Sequence, residues 1–116
     1  MAFQVETQEK EDMVIVRLSG SLDTLSAEDL KTAFGRVMRI GKNRTILSLK
    51  DLKYISSTGI RALVSFAQWA NQGKGELKIA EAQPNVLSVL NMVGLQNLIP
   101  IFSSLSDAQN SFSGGK

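Results

Sequence analysis

The stretch Asp51-Leu52-Lys53-Tyr54-Ile55-Ser56-Ser57-Thr58-Gly59-Ile60-Arg61-Ala62-Leu63 decides how this chain is organised. It leaves an apolar run at 45–49 that predicts a central strand, and it opens into apolar residues at helical spacing. Ser57 or Thr58 is expected to cap the helix, and Gly59 to allow a tight turn. One cap needs one hydroxyl, however, and a helix start also favours an attached phosphate. The residues alone leave a cap and a phosphorylation switch both open.

Composition excludes several classes of chemistry. The chain has 116 residues, 43% of them apolar and 21% charged, which is typical of a single globular domain. It contains no cysteine and no histidine, so it lacks thiolate ligands, imidazole ligands and the commonest general base. A net charge of +2 gives no argument for a nucleic-acid partner. The N-terminus has no signal-peptide pattern and no apolar run is long enough for a membrane span, so a cytoplasmic protein without membrane insertion is expected.

The residues before the opening stretch predict a hairpin and a helix. Alternation at 3–8 and a β-branched run at 13–19, closed by Gly20, indicate two strands joined by a charged turn. Ser26, with Asp29 three residues later, has the pattern of a capping box. Apolar residues at helical spacing then predict a helix to about Ile40, ended by Gly41.

The residues after 58 predict two further α/β units. A helix is expected from about residue 59 to 72, then a strand at 76–80 and a helix that begins near Pro84 and stops at Gly94. A short edge strand at 98–102 and a brief helix capped at Ser106 complete the order β-β-α-β-α-β-α-β-α. The fold class is therefore α/β, a mostly parallel or mixed sheet of about five strands covered by about four helices. One domain is predicted at 1–112, with a flexible tail at 113–116.

No arrangement in the sequence predicts catalysis. Ser57 has no histidine to activate it, and 73–75 lacks the lysine-hydroxyl pair of a nucleotide loop. No catalytic residue, metal ligand or cofactor is therefore predicted. Lys42 and Arg44, with Arg36 and Arg39, form either a small basic patch or, as the favoured interpretation, cations that complement a helix dipole. Phe66 and Trp69 are equally consistent with core packing and with a partner-facing stripe.

The motif Gly20-x-Leu22-Asp23, followed by the capped helix and by Asp51-Leu52-x-Tyr54-Ile55-Ser56-Ser57-Thr58-Gly59-Ile60, resembles the STAS domain family. Nearly the whole chain is similar, including Gly94-Leu95, and the small bacterial anti-sigma-factor antagonists resemble it most. In that group an anti-sigma factor that is also a serine kinase phosphorylates the start of the second helix. The unphosphorylated antagonist binds this partner and frees the sigma factor, and phosphorylation blocks binding.

The resemblance assigns roles to particular residues. It implies phosphorylation at Ser57, with Ser56 and Thr58 as alternative acceptors. It also implies a partner-binding surface made of Asp23, Ser56, Ser57, Thr58, Gly59, Ile60 and Arg61. An anti-sigma factor with serine kinase activity is the implied partner, and a serine phosphatase is a second one. Two positions depart from the family pattern, since Ser56 stands where aspartate is common and Ser21 where glutamate is common.

A different class of function is also open: a constitutive STAS-type subunit of a lipid-transport or stress-sensing assembly, which uses Phe66 and Trp69 as its working surface. An enzyme or small-ligand domain ranks below both. The sequence does not identify the sigma factor, the stimulus or the oligomeric state.

Overall fold

The computed structural model describes residues 3–42, 44–73 and 75–113. The strands are β1 (Gln4–Lys10), β2 (Met13–Leu22), β3 (Arg44–Ile55), β4 (Glu76–Ala80) and β5 (Ile101–Phe102). The helices are α1 (Ser26–Ile40), α2 (Ser57–Gln72), α3 (Pro84–Met92) and α4 (Leu105–Ser113), with one 3₁₀ turn at Leu95–Asn97. The predicted order is confirmed. The predicted tail at 113–116 is not tested, because Ser113 ends α4 and the remaining residues lie outside the described part.

The strands lie in chain order in one five-stranded sheet. β1 pairs antiparallel with β2 as the predicted hairpin, and the three other pairings are parallel. Parallel neighbours need a crossover, and α1, α2 and α3 each supply one on the same side of the sheet because crossovers share one handedness. α4 follows the last strand and covers the other side.

Alternation along the strands separates two cores. Val14, Val16 and Leu47 point to the side of α1, α2 and α3, into a continuous apolar core. Met13 and Ile46 point to the opposite side, where they meet Ala108 and Phe112 of α4. We call these two sides the front face and the back face.

The ends of several elements differ from the sequence predictions. β5 has only the two residues Ile101 and Phe102, because the N–H groups of Leu98 and Ile99 both donate to the Leu95 carbonyl in the turn before it, and Pro100 has no N–H to donate. The cap of α4 is Ser104, whose Oγ accepts a hydrogen bond from the Asp107 N–H at 3.0 Å, and not Ser106. Gly41 and Gly94 do adopt left-handed conformations, with φ of 81° and 76°, at the helix ends where the sequence predicts stops.

Candidate functional site

The site is built by two strands that run further than predicted. β2 continues through Gly20 to Leu22, and β3 continues through the charged residues 50–53 to Ile55. The extensions pair with each other, Ser21 with Tyr54 and Leu22 with Ile55, after register irregularities between Arg17 and Ser21. Such irregularities redirect the side chains of a strand. They place the chain after Leu22 beside the start of α2, where the Ser56 N–H donates to the Leu22 carbonyl at 2.8 Å.

Ser56 is the N-cap of α2, so the prediction of Ser57 or Thr58 as the cap is wrong. Its backbone is extended, with φ of −93° and ψ of 170°, and its Oγ accepts from the Gly59 N–H at 3.1 Å. Aspartate and serine are both good caps. The family departure at this position therefore keeps the cap and removes a negative charge.

The hydroxyl of Ser57 is left exposed by this arrangement. Ser57 is the first residue of α2, and its side chain has no hydrogen bond to any other described residue. Thr58 is half-buried, and its Oγ1 lies 3.4 Å from the Thr24 Oγ1. Of the three hydroxyls, Ser57 is thus both the most accessible and the one not engaged in local structure.

Gly59 is needed for close packing and not for a tight turn. It is buried, and its φ is not among the positive values of the described glycines. A Cβ at this position would lie 2.7 Å from Leu22 Cγ and 2.9 Å from the Leu22 carbonyl oxygen. The start of α2 reaches the end of β2 only because residue 59 has no side chain. Gly59 therefore sets the backbone geometry of the site, but it has no side chain that a partner could contact.

Asp23 lies in the loop before α1, and its charge is held by local hydrogen bonds. Its Oδ1 accepts from the Ser26 N–H at 3.0 Å and lies 3.0 Å from the Ser26 Oγ. These bonds, the backbone one first, lower the pKa of the Asp23 carboxyl from its ordinary value. The Thr24–Thr58 contact joins this loop to α2. A fixed negative charge is thus attached to the loop beside Ser57.

The predicted capping box at Ser26 and Asp29 is wrong. The residue before α1 is Leu25, which makes no side-chain cap, and Ser26 is itself helical. The Ser26 hydroxyl is buried and directed back to the Ser21 carbonyl at 2.7 Å. Asp23 performs the capping role instead, since its carboxylate accepts a hydrogen bond from the Ser26 N–H.

Two exposed apolar side chains near Ser57 are absent from the predicted partner surface. Leu25 is 84% exposed and Tyr54 is 53% exposed. Leu25 adjoins the loop residue that contacts Thr58, and Tyr54 lies two residues before the cap. The sequence itself indicates that Leu25 is exposed, because this residue falls outside the helical spacing of the apolar residues Ala27, Leu30 and Phe34 in α1. Exposed apolar groups beside a polar cluster are typical of protein-binding surfaces.

The remaining residues of the predicted surface divide by exposure. Arg61 is exposed one turn beyond Ser57, whereas Ile60 is half-buried and packs against the front core. Ile60 can offer a partner only part of its side chain.

The aromatic pair of α2 is divided between core and surface. Phe66 is fully buried and its ring stacks on Phe34, with centroids 3.6 Å apart and an interplanar angle of 26°. Trp69 is 45% exposed. The partner-facing interpretation is therefore wrong for Phe66 and stays open for Trp69.

The basic residues near 42–44 make local ion pairs. Arg44 Nη1 lies 2.8 Å from Asp12 Oδ2, and Lys42 Nζ lies 3.7 Å from Glu9 Oε1. These pairs tie the end of α1 and the start of β3 to the β1–β2 turn. Arg39 lies in the last turn of α1, where it complements the helix dipole as predicted.

The part of the chain that the structure describes contains neither a candidate metal site nor a candidate membrane-spanning helix. No cluster of three or more metal-ligating side chains occurs at 3–42, 44–73 or 75–113. Over the same ranges, none of the helices has the length and apolarity that a bilayer crossing requires.

Residues 4–108 match the model of the STAS domain, so the chain belongs to the STAS domain family. It is 33% identical over 107 residues to BtrV of Bordetella bronchiseptica, provisionally named an anti-sigma factor antagonist, covering 91% of this chain and 92% of that protein. It is 30% identical over 105 residues to the anti-sigma F factor antagonist of Paenibacillus polymyxa, covering 90% of each.

The fold matches that of a solved antagonist in two states. The anti-sigma factor antagonist SpoIIAA in its unphosphorylated form superposes with a TM-score of 0.79 at 21% identity, over 97% of both chains. The phosphorylated form of the Bacillus protein superposes with a TM-score of 0.71 at 20% identity, over 96% of this chain and 99% of that one.

Proposed function

We propose that this protein is a cytoplasmic, non-enzymatic anti-sigma-factor antagonist that works by partner switching. In its unphosphorylated form it binds an anti-sigma factor that is also a serine kinase, and it thereby releases a sigma factor. Phosphorylation at Ser57 blocks that binding, and a serine phosphatase reverses it. The observation that carries the proposal is the exposed Ser57 hydroxyl at the first residue of α2, beside a helix cap that another serine supplies. Relatives named as antagonists along nearly the whole chain support it.

The switch acts at the partner interface and leaves the fold intact. A phosphate at a helix N-terminus is favourable to the folded state by about 0.3–1 kcal/mol, so modification does not unfold α2. The fixed charge of Asp23 and the new charge on Ser57 together repel an acidic partner surface and add bulk and desolvation cost. A penalty of about 3 kcal/mol weakens binding roughly 150-fold, which is sufficient for a switch.

The exposed apolar side chains give the unphosphorylated form its contact surface. Leu25, next to the loop residue that contacts Thr58, and Tyr54, three residues before Ser57, are both exposed. We expect them to be buried by the partner, with the hydroxyls near the centre of the contact. A doubly charged group placed among buried apolar contacts is then costly.

Kinase mapping with matched variants tests the proposal. The protein is incubated with ATP and the serine kinase encoded nearest to its gene, and the product is mapped by mass spectrometry. One phosphate on Ser57 is expected, with modification lost in Ser57→Ala and kept in Thr58→Ala. Ser56→Ala controls for the helix cap, since it costs about 1 kcal/mol of stability but keeps the Ser57 hydroxyl. Modification that persists in Ser57→Ala moves the acceptor, and its absence with every encoded serine kinase removes the switch.

The scaffold-subunit alternative has one observation in its favour. Trp69 is 45% exposed at the far end of α2 from Ser57, and 62–72 carries no charged residue. Depletion of charge around an exposed aromatic side chain is typical of an interface core. If this surface is the working one, Trp69→Ser abolishes capture of the co-purifying partner while Ser57→Asp leaves it intact. The antagonist proposal expects the reverse.

A further inference from the structure

One charged group near Ser57, Arg61 of the predicted partner surface, has no role yet in the phosphorylated state. Arg61 is the single charged residue of α2, whose first turn has no acidic residue and whose last turn has no basic one. Arg61 is exposed, and it belongs to none of the ion pairs found among residues 3–42, 44–73 and 75–113. The charge of Asp23 is already engaged with Ser26. A guanidinium that pairs with none of the described residues therefore lies one helical turn from the Ser57 hydroxyl.

The spacing of the two residues suits an ion pair. Positions i and i+4 lie on one helix face about 6 Å apart along the axis. Helical side chains lean toward the N-terminus, which brings a long side chain at position 61 within reach of position 57. An anion N-terminal to a cation is also the more favourable order on a helix. A phosphoserine supplies that anion with a charge of about −1.5 to −2.

We propose that Arg61 binds the phosphate on Ser57 within the same chain, as an ion pair along the exposed face of α2. This inference rests on the proposed function only in taking Ser57 as the acceptor. The guanidinium presents several N–H donors to the phosphate oxygens, which favours the doubly charged phosphate. Before modification Arg61 is exposed and makes no ion pair with the described residues, and after modification it is paired, so phosphorylation changes two features of the surface at once.

The test uses protein with phosphoserine placed at position 57 during translation, so that no kinase is required. The second ionisation of the phosphate is followed by ³¹P NMR against pH, in the parent and in Arg61→Gln. Loss of the cation disfavours the dianion, so the pKa of the phosphate is expected to rise by about 0.2–0.4 pH units in Arg61→Gln. Arg61→Lys should restore part of the difference. The difference should shrink at high salt, because exposed charges are screened.

Arg39→Gln is the matched control for a general loss of charge. Arg39 lies in the last turn of α1, and that end of α1 reaches the opposite end of α2, where Met38 Cε lies 3.9 Å from the Cβ position of Gly73. Arg39→Gln should titrate as the parent does. Identical titration of the parent and Arg61→Gln overturns the ion pair, as does an equal shift in Arg39→Gln. Failure of kinases to modify Ser57 overturns the proposed function and leaves this result unaffected.

Discussion

The front face of the sheet is closed by three helices over a continuous apolar core, whereas the back face is closed by one terminal helix with the help of a lysine. The front core joins β2, β3 and β4 to α1, α2 and α3, and Phe34 stacks on Phe66 near its centre. On the back face, Lys78 is 7% exposed, with its Nζ 4.1 Å from the centroid of the Phe112 ring and hydrogen-bonded to Ser111.

The two faces contribute differently to the stability of the domain. The helix that carries Ser57 is anchored in the front core, so its position depends on the packing of that core. α4 lies against β3, β4 and β5 and shares a small apolar cluster with Met13 and Ile46. Elements with fewer apolar contacts open more easily than the rest of a domain. We therefore expect mutations on the front face to affect global stability and mutations on the back face to act locally.

Phe66→Ala should give the largest loss. Phe66 is fully buried and stacked on Phe34, so truncation removes apolar area and leaves a cavity. The expected decrease in the free energy of unfolding is about 3–5 kcal/mol, measured by urea denaturation. Phe66→Leu, which keeps much of the volume, should lose clearly less. A decrease below about 1 kcal/mol in Phe66→Ala would show that the front core does not depend on this pair.

Gly59→Ala should rank second, because the added Cβ overlaps Leu22 and its carbonyl oxygen. Overpacking of this kind costs about 1–3 kcal/mol. Gly35→Ala is the matched control, since Gly35 is also helical and its added Cβ meets nothing within 4 Å. It should stabilise the protein by about 0.5–1 kcal/mol, because alanine is the better helix former. Both values come from the same urea titration, and equal effects of the two variants would contradict the close approach at Gly59.

Phe112→Ala should cost less than Phe66→Ala, although both rings are buried. The expected loss is about 2–3 kcal/mol, at or below the lower end of the range for truncation of a buried phenylalanine, because α4 can detach while the front core persists. Hydrogen exchange checks this directly: amides of α4 should lose protection, and those of β2, β3 and α2 should keep it. Loss of protection across the whole sheet would show instead that the two faces unfold together.

The sequence predicted the front face better than the site at its edge. Apolar residues at helical spacing predicted α2, and Leu63, Ala67 and Ala70, which repeat at that period, are buried. Strand length was missed at 50–55, because Lys50, Asp51 and Lys53 look like a loop while Leu52 and Ile55 are buried. The irregular register between β2 and β3 shifts which residues face inward, and that shift is a property of the pair of strands.

The choice of helix cap also could not be predicted from local sequence. A run of Ser56, Ser57 and Thr58 offers three hydroxyls of similar capping ability, and the choice depends on where the strand before them ends. The Ser56 N–H bonds to Leu22, a residue 34 positions earlier in the chain, and this contact sets Ser56 as the last extended residue. Local patterns contain no information about that distant partner. The family resemblance predicts Ser57 as the acceptor, but it does not explain why Ser56 is the cap.

Lys78→Met should have the smallest effect and tests whether the lysine itself holds α4. Methionine keeps the length of the apolar stem, and the Ser111 hydroxyl keeps its hydrogen bond to the Ala108 carbonyl at 2.7 Å. The contacts of Nζ with the Phe112 and Phe102 rings favour lysine by up to about 2 kcal/mol when desolvated. Burial of an ammonium group opposes this gain by a similar amount. We therefore expect a change of less than about 1 kcal/mol in the urea-derived free energy of unfolding, with α4 still protected from exchange. A loss above 2 kcal/mol would mean that the cation contacts outweigh the desolvation cost, and that the back face depends on charge where the front face depends on apolar packing.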